Sequence, residues 1–410
     1  MLLGPLRQAT LTRLIALSSS LAAFNALAEN NPYYIGGSMA VTHVSNIFRT
    51  TLGQPSNNDN VTSATILAGI DQRLGRQRLY ADSSVSSNVY KNNTDLRNTS
   101  YNLNAGLEWQ TIERLSGLVS YGSNRSLAQF NPGDAPALTK KNVAQLDSAG
   151  ATVRYGLASL LTLEGSFNHR RRTYTAQEFA SSEFSQDASS VGFVYQTSAA
   201  LSLGLAGRHT AGKYPKYQLT TDGFLPNTFN RNDIDLTSNW IASSISSFNA
   251  RLSSGRSRNT AVATRNFSGV TGAFSWRWLP SSKLQLNTTF SRDSGTETAF
   301  FNVGSTGGLS ADNSRIASVL QVRANYALTS KLVFDANAGI TKRNLSNSTG
   351  ASTVSGDDRI TTWGLGGKWL VTRSSQLGCQ ITHDERTGQS VLSLPYKLSS
   401  YGCYAQLTLQ

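Results

Sequence analysis

The final stretch of the chain, Tyr396–Gln410, alternates strictly. Tyr401, Cys403, Ala405, Leu407 and Leu409 make one face nearly all apolar, while Gly402, Tyr404, Gln406, Thr408 and Gln410 make the other small or polar. A period of two marks an extended strand with a different solvent on each face. Such a strand is an aggregation hazard unless its edges are paired. The same pattern recurs upstream. Asn98–Gln110 carries Tyr101, Leu103, Ala105, Leu107 and Trp109 in alternation, and Ser314–Thr329 carries Ile316, Leu320, Val322, Ala324 and Tyr326. No long helical pattern lies between such segments. The expected fold is all-β: a transmembrane antiparallel up-and-down β-barrel of about 18 strands. Its last strand closes against its first, Tyr33–Asn46.

The connections support this. Short turns are expected near residues 75, 112, 158, 198, 245, 280, 329 and 374. Long polar loops are expected at 49–60, 91–97, 130–143, 175–185, 211–231, 257–263, 295–312, 344–356 and 386–394. Bacterial outer-membrane barrels alternate short periplasmic turns with long external loops, so both termini are expected to be periplasmic. Trp109, Tyr121, Trp276, Trp278, Tyr326, Trp369 and Tyr401 fall near strand ends, as interfacial girdles require. Only 15% of the 410 residues are charged, which is low for a soluble chain of this size. A soluble propeller or solenoid would explain the strand density but not an apolar face on nearly every strand.

The N-terminus reads as a separable leader. Arg7 and Arg13 are positive, Leu14–Phe24 is apolar, and Ala26-Leu27-Ala28 is a small-x-small cleavage site. Residues 1–28 are therefore expected to be a signal peptide cleaved after Ala28, and 29–410 the barrel, located in the bacterial outer membrane.

If the apolar face meets lipid, the other face lines the lumen. In phase with it are Arg78, Tyr80, Asp82, Glu108, Arg154, Glu164, Arg170, Arg172, Arg208, Arg251, Arg277, Arg323, Asp335, Arg343 and Lys368. The excess of Arg favours anionic or polyhydroxyl solutes over cations, and Arg forks with Tyr rings suit hydrogen bonding and stacking on sugars. Cross-strand pairing of these charges inside the wall is the more ordinary alternative for any one of them. The run His169-Arg170-Arg171-Arg172 suggests contact with lipopolysaccharide phosphates or rim electrostatics. Nucleic acid is not an expected partner, because the basic residues are spread through strands of an exported chain. Catalysis has little support: His43, His169, His209 and His383 fall in no nucleophile elbow or zinc motif, and no cofactor or metal motif is present.

The two cysteines, Cys379 and Cys403, are equidistant from residue 391, inside the loop expected at 386–394. In an antiparallel hairpin centred there they face each other within disulfide reach, and an oxidising compartment permits the bond. The other reading is two free, small apolar residues.

The ending Ser400-Tyr401-Gly402-Cys403-Tyr404-Ala405-Gln406-Leu407-Thr408-Leu409-Gln410, with a Cys in the preceding strand, resembles EpsL-type outer-membrane proteins within the beta-barrel porin type 2 group. The terminal aromatic usual in bacterial barrels is replaced by Gln410. The resemblance implies a conduit exporting a secreted exopolysaccharide. Its partners would be outer-membrane lipid and lipopolysaccharide, the polysaccharide in transit, and periplasmic and inner-membrane export components. The alternatives are a general or solute-specific diffusion porin with a mildly anion-selective lumen, and a structural or adhesive barrel.

Overall fold

In the computed structural model, the described residues are 31–131, 139–158, 160–221, 223–261, 265–294, 314–349, 352–388 and 393–410. The leader and the loop expected at 295–312 lie outside them. Eighteen strands follow in order: β1 Tyr33–Val44, β2 Asp59–Leu74, β3 Gln77–Tyr90, β4 Asn98–Gln110, β5 Leu115–Leu127, β6 Val143–Gly156, β7 Leu161–Tyr174, β8 Phe184–Ser198 and β9 Leu201–Thr220. Then come β10 Gly223–Ser243, β11 Ser246–Asn259, β12 Phe267–Ser281, β13 Leu284–Asp293, β14 Ser314–Ala327, β15 Leu332–Thr349, β16 Ser352–Leu370, β17 Ser375–Gly388 and β18 Tyr396–Leu409. Each pairs antiparallel with its neighbour, and β18 pairs with β1 from Ile35↔Leu409 to Val44↔Ser400. The sheet is thus a closed cylinder with no free edge, as the alternation predicts. The start of β1 and the end of β18 lie at the short-turn end.

Alternation places the apolar residues outside. Met39 is 65% exposed, Ile66 67% and Val191 63%. A soluble protein rarely shows so continuous an apolar surface. Around a closed barrel it is the lipid-facing belt, because closure satisfies every backbone group without water. At the short-turn end Trp240, Phe248, Trp276 and Trp278 stack along the outer face with ring centres 5.3 to 5.9 Å apart, forming part of an aromatic girdle. Such a barrel is an outer-membrane protein.

Two-residue turns suffice at the short end. Leu74 pairs with Gln77, and Gly75 takes φ +64°, a conformation that costs glycine little. Two of the expected long loops are mostly strand. Strand β9 runs on to Thr220 and β10 starts at Gly223, and β15 runs on to Thr349 and β16 starts at Ser352. Backbone pairing needs no apolar alternation, so a polar ribbon standing beyond the lipid belt reads as a loop. The β9–β10 ribbon is further held by an inward aromatic cluster of Phe184, Tyr214 and Phe229.

Cys379 and Cys403 are directly opposed on β17 and β18, with Cα atoms 4.0 Å apart, and form a disulfide. Their alternation places the bond on the lipid-facing side, between Leu377 and Ile381 on one strand and Tyr401 and Ala405 on the other.

Candidate functional site

The lumen-facing charges fall into three groups. At the short-turn end they neutralise one another. Arg78 donates to Asp71 at 2.8 and 2.7 Å and reaches Glu108 at 3.3 Å. Arg154 donates to Glu164 at 2.6 Å. Asp82 accepts from the Tyr34 hydroxyl at 2.7 Å. Arg277, Asp335 and Lys368 lie in this half of the wall, opposite Asn287, Gly366 and Gly378 on the neighbouring strands. Tyr80 lies flat against Gly106: a Cβ on that glycine would stand 2.3 Å from the Tyr80 hydroxyl oxygen. The ring thus covers a cross-strand glycine. Gly106→Ala is therefore expected to destabilise the barrel by about 1–3 kcal/mol, read as a lower urea midpoint for loss of the compact, fast-migrating form on unheated gels.

Nearer the long-loop end a second group is buried in the inner wall. Arg208 grips Asp235 through Nε at 2.8 Å and Nη2 at 3.1 Å, and also reaches Asp233 at 3.2 Å. Arg231 holds Asp233 at 2.8 Å and donates to Thr271 at 3.1 Å and to Ser294. Arg251 is buried on the adjacent strand β11. Farther round, Arg343 forks onto Asp358, which also accepts from Ser393. These clamps tie neighbouring strands and withdraw their charges from the pore. Arg170 and Arg172 lie over the Phe184 ring at 5.9 and 5.2 Å, and Arg265 lies over Tyr217 at 4.9 Å.

The third group narrows the channel. Ile47, Phe48, Tyr90, Leu96 and Phe130 form a buried apolar core at the long-loop end. They come from three connections and the end of β3, so apolar residues draw those segments inward together. The β5–β6 connection is pinned across the opening. Asn131 accepts from Arg386 on β17 through its backbone oxygen at 2.9 Å and Oδ1 at 2.6 Å, and it donates to the Arg49 carbonyl at 2.8 Å. Arg386 is fully buried and lies 4.7 Å over the Tyr396 ring. Arg49 lies over the same ring at 5.4 Å and pairs with Asp384 at 3.7 Å.

Beside this constriction a cavity of about 510 Å³ spans the barrel. One side is β5–β7, with Asn124, Ser126 and Arg172; the other is β14–β17, with Arg323, Asn337, Thr362, Thr382 and Asp384. In an 18-strand cylinder β6 and β15 are diametrically opposed, so the cavity is part of the lumen and not a crevice in the wall. Its charged lining residues are Arg49, Arg172, Arg323 and Asp384. The site can therefore bind a small anion by charge and by Asn, Ser and Thr hydrogen bonds.

Of the residues singled out from sequence, the structure brings Arg172 and Arg323 to this cavity. It places Arg208, Arg251 and Arg343 in buried positions and pairs Arg78, Glu108, Arg154 and Glu164 among themselves. Sequence reading missed Arg49, Asn131, Asp384, Arg386 and Tyr396 at the constriction, and Arg231, Asp233, Asp235 and Asp358 in the clamps. Extending the parity of Leu236 and Trp240 back along β10 would have found Asp233 and Asp235. The four histidines all face outward, each bonded across to a neighbouring strand or connection: His43 to Asn60, His169 to Asp187, His209 to Asn232 and His383 to Ser399. The described residues hold no cluster of three or more His, Cys, Asp or Glu that could bind a metal.

The fold and its lumen define a porin-type outer-membrane barrel. Among solved structures, the chain is similar to the outer-membrane protein OpdK from Pseudomonas aeruginosa, with a TM-score of 0.47 and 12% identity over 92% of this chain and 99% of that one. It is also similar to OccK2 (OpdF) of the same organism, with a TM-score of 0.49 and 12% identity over 92% and 98%, and to OpdK solved with vanillate, with a TM-score of 0.46 and 12% identity over 92% and 99%. At this identity the likeness is one of fold. No family model matches the chain, and no curated protein matches it. The expected EpsL-type exopolysaccharide conduit is corrected accordingly: the similar structures are OpdK and OccK outer-membrane proteins. The lumen departs from that expectation in the same direction. Its Tyr80 ring is packed on the wall, most of its Arg residues named from sequence are locked in ion pairs or buried, and Asn131 after β5 is bonded to Arg386 on β17.

Proposed function

We propose that the protein is a diffusion porin for small organic anions. The observation that carries this reading is the cavity between opposed walls, where three guanidinium groups face one carboxylate. Arg49 and Asp384 pair with each other, and Arg172 and Arg323 add two further guanidinium groups to the cavity lining, so that its described charged side chains are mainly basic. A volume of about 510 Å³ suits a small solute. Asn and Thr around it supply hydrogen bonds that are individually weak, so a solute can leave as well as enter. OpdK was solved with vanillate, which illustrates the kind of solute intended here.

The test is uptake into proteoliposomes of benzoate and of benzamide, its neutral near-isostere. Benzoate is expected to enter several-fold faster, since one unit charge about 5 Å away in water is worth about fourfold. Equal rates would remove the anion preference.

A further inference from the structure

Charged side chains also line the outer surface, in a row just beyond the lipid belt at the long-loop end. Two sectors of that row differ. Over β6–β8 the signs alternate: Asp147 opposes Arg171, and Asp187 is bonded to His169 at 2.7 Å. Over β11–β16 the outward charges at this level are Arg256, Arg258, Arg292, Lys342 and Arg359, all exposed. Among the described residues none of these five has a carboxylate partner. The outward acids nearest them are Asp357, which opposes Asn344 one rung farther out, and Glu385, which Lys397 engages at 3.1 Å.

The register makes part of this row a single rung. Arg292 opposes Ser318, Ser318 opposes Lys342, and Lys342 opposes Arg359. Neighbouring strands are about 4.8 Å apart, so Lys342 stands roughly 5 Å from Arg359 and roughly 10 Å from Arg292 along the rung, and the rung spans roughly 14 Å. Just inside the rung are Phe290, Leu320 and Ile340, with Trp363 one rung deeper, outward members of the apolar belt. The cations thus sit at headgroup height. Like charges directly opposed, as Lys342 and Arg359 are, destabilise a sheet, and an anion shared between them reverses the sign of that contribution.

We propose that the β11–β16 rung docks the phosphorylated head of lipopolysaccharide, with the long-loop end at the cell surface. One phosphate between Lys342 and Arg359 and a second on Arg292, two strands from Lys342, satisfy all three cations while the acyl chains lie along the belt below. The site is one-sided, because the acids of β6–β8 neutralise the corresponding row there. The basic run His169–Arg172 is not this site: its Arg170 and Arg172 face the lumen, and His169 and Arg171 face Asp187 and Asp147.

The experiment is native mass spectrometry of the full barrel in detergent with bisphosphorylated lipid A, dephosphorylated lipid A and phosphatidylglycerol. The wild type is expected to retain the bisphosphorylated form selectively. Arg292→Gln/Lys342→Gln/Arg359→Gln should weaken retention about tenfold or more, at roughly fivefold per surface cation. Arg171→Gln in the opposite sector, where Asp147 opposes it, should leave it unchanged. Equal retention by the triple variant overturns the proposal. So does equal retention of dephosphorylated lipid A or phosphatidylglycerol by the wild type, a comparison that needs no variant to fold.

Discussion

Arg231→Met is expected to destabilise the barrel by about 3–5 kcal/mol, because it breaks a buried ion pair from one side. Arg231 is completely buried. Its guanidinium grips Asp233, donates to Thr271 and Ser294, and lies 5.1 Å over the Phe267 ring. It therefore joins β10 to β12 and to the end of β13. Methionine keeps the packing volume but leaves the Asp233 carboxylate leaning on Arg208, which already holds Asp235. The measurement is the urea midpoint for loss of the fast-migrating folded form. The double variant Arg231→Met/Asp233→Leu supplies the sign test: removing both charges should recover much of the loss, since a well-packed apolar pair can replace a buried ion pair at little cost. A double variant less stable than Arg231→Met would show that Asp233 contributes mainly through Arg208.

The second large effect is on selectivity. Arg172→Ser/Arg323→Ser removes two of the three guanidinium groups that line the cavity. Each contributes about fourfold to the local preference for anions at roughly 5 Å in water. The anion-to-cation permeability ratio should therefore fall by several-fold to an order of magnitude, approaching unity, while folding is retained. The single variants should lie between. Arg154→Ser/Glu164→Ser is the control: it removes a bonded pair of opposite charges at the short-turn end, so the ratio should stay at the wild-type value.

What was legible in the sequence follows from what the membrane imposes. Tyr101, Leu103, Ala105, Leu107 and Trp109 alternate because each second residue of β4 must meet lipid, so strand number, register parity and closure could all be read. The ribbon 211–231 could not, because beyond the belt no solvent enforces alternation. The same parity assigned Arg78 and Arg154 to the lumen but could not show their partners, which lie on other strands. The constriction was the least legible part. Asn131 and Arg386 meet across 255 residues, drawn together by an apolar cluster of connections whose packing leaves no local signature. Arg386 itself was missed because the expected strand stopped at Thr382, short of the polar extension to Gly388. The closing residues 400–410 showed the strand that seals the barrel, but their likeness to an exopolysaccharide-export family did not extend to the lumen.

The central claim is a water-filled path through a cavity whose charged lining is mainly basic. Its most direct test is the zero-current potential of the wild-type barrel in planar bilayers under a tenfold potassium chloride gradient. The account predicts a stable conductance with a potential of the sign set by chloride, diminished in Arg172→Ser/Arg323→Ser. A closed barrel, or one whose potential has the sign set by potassium, would contradict it.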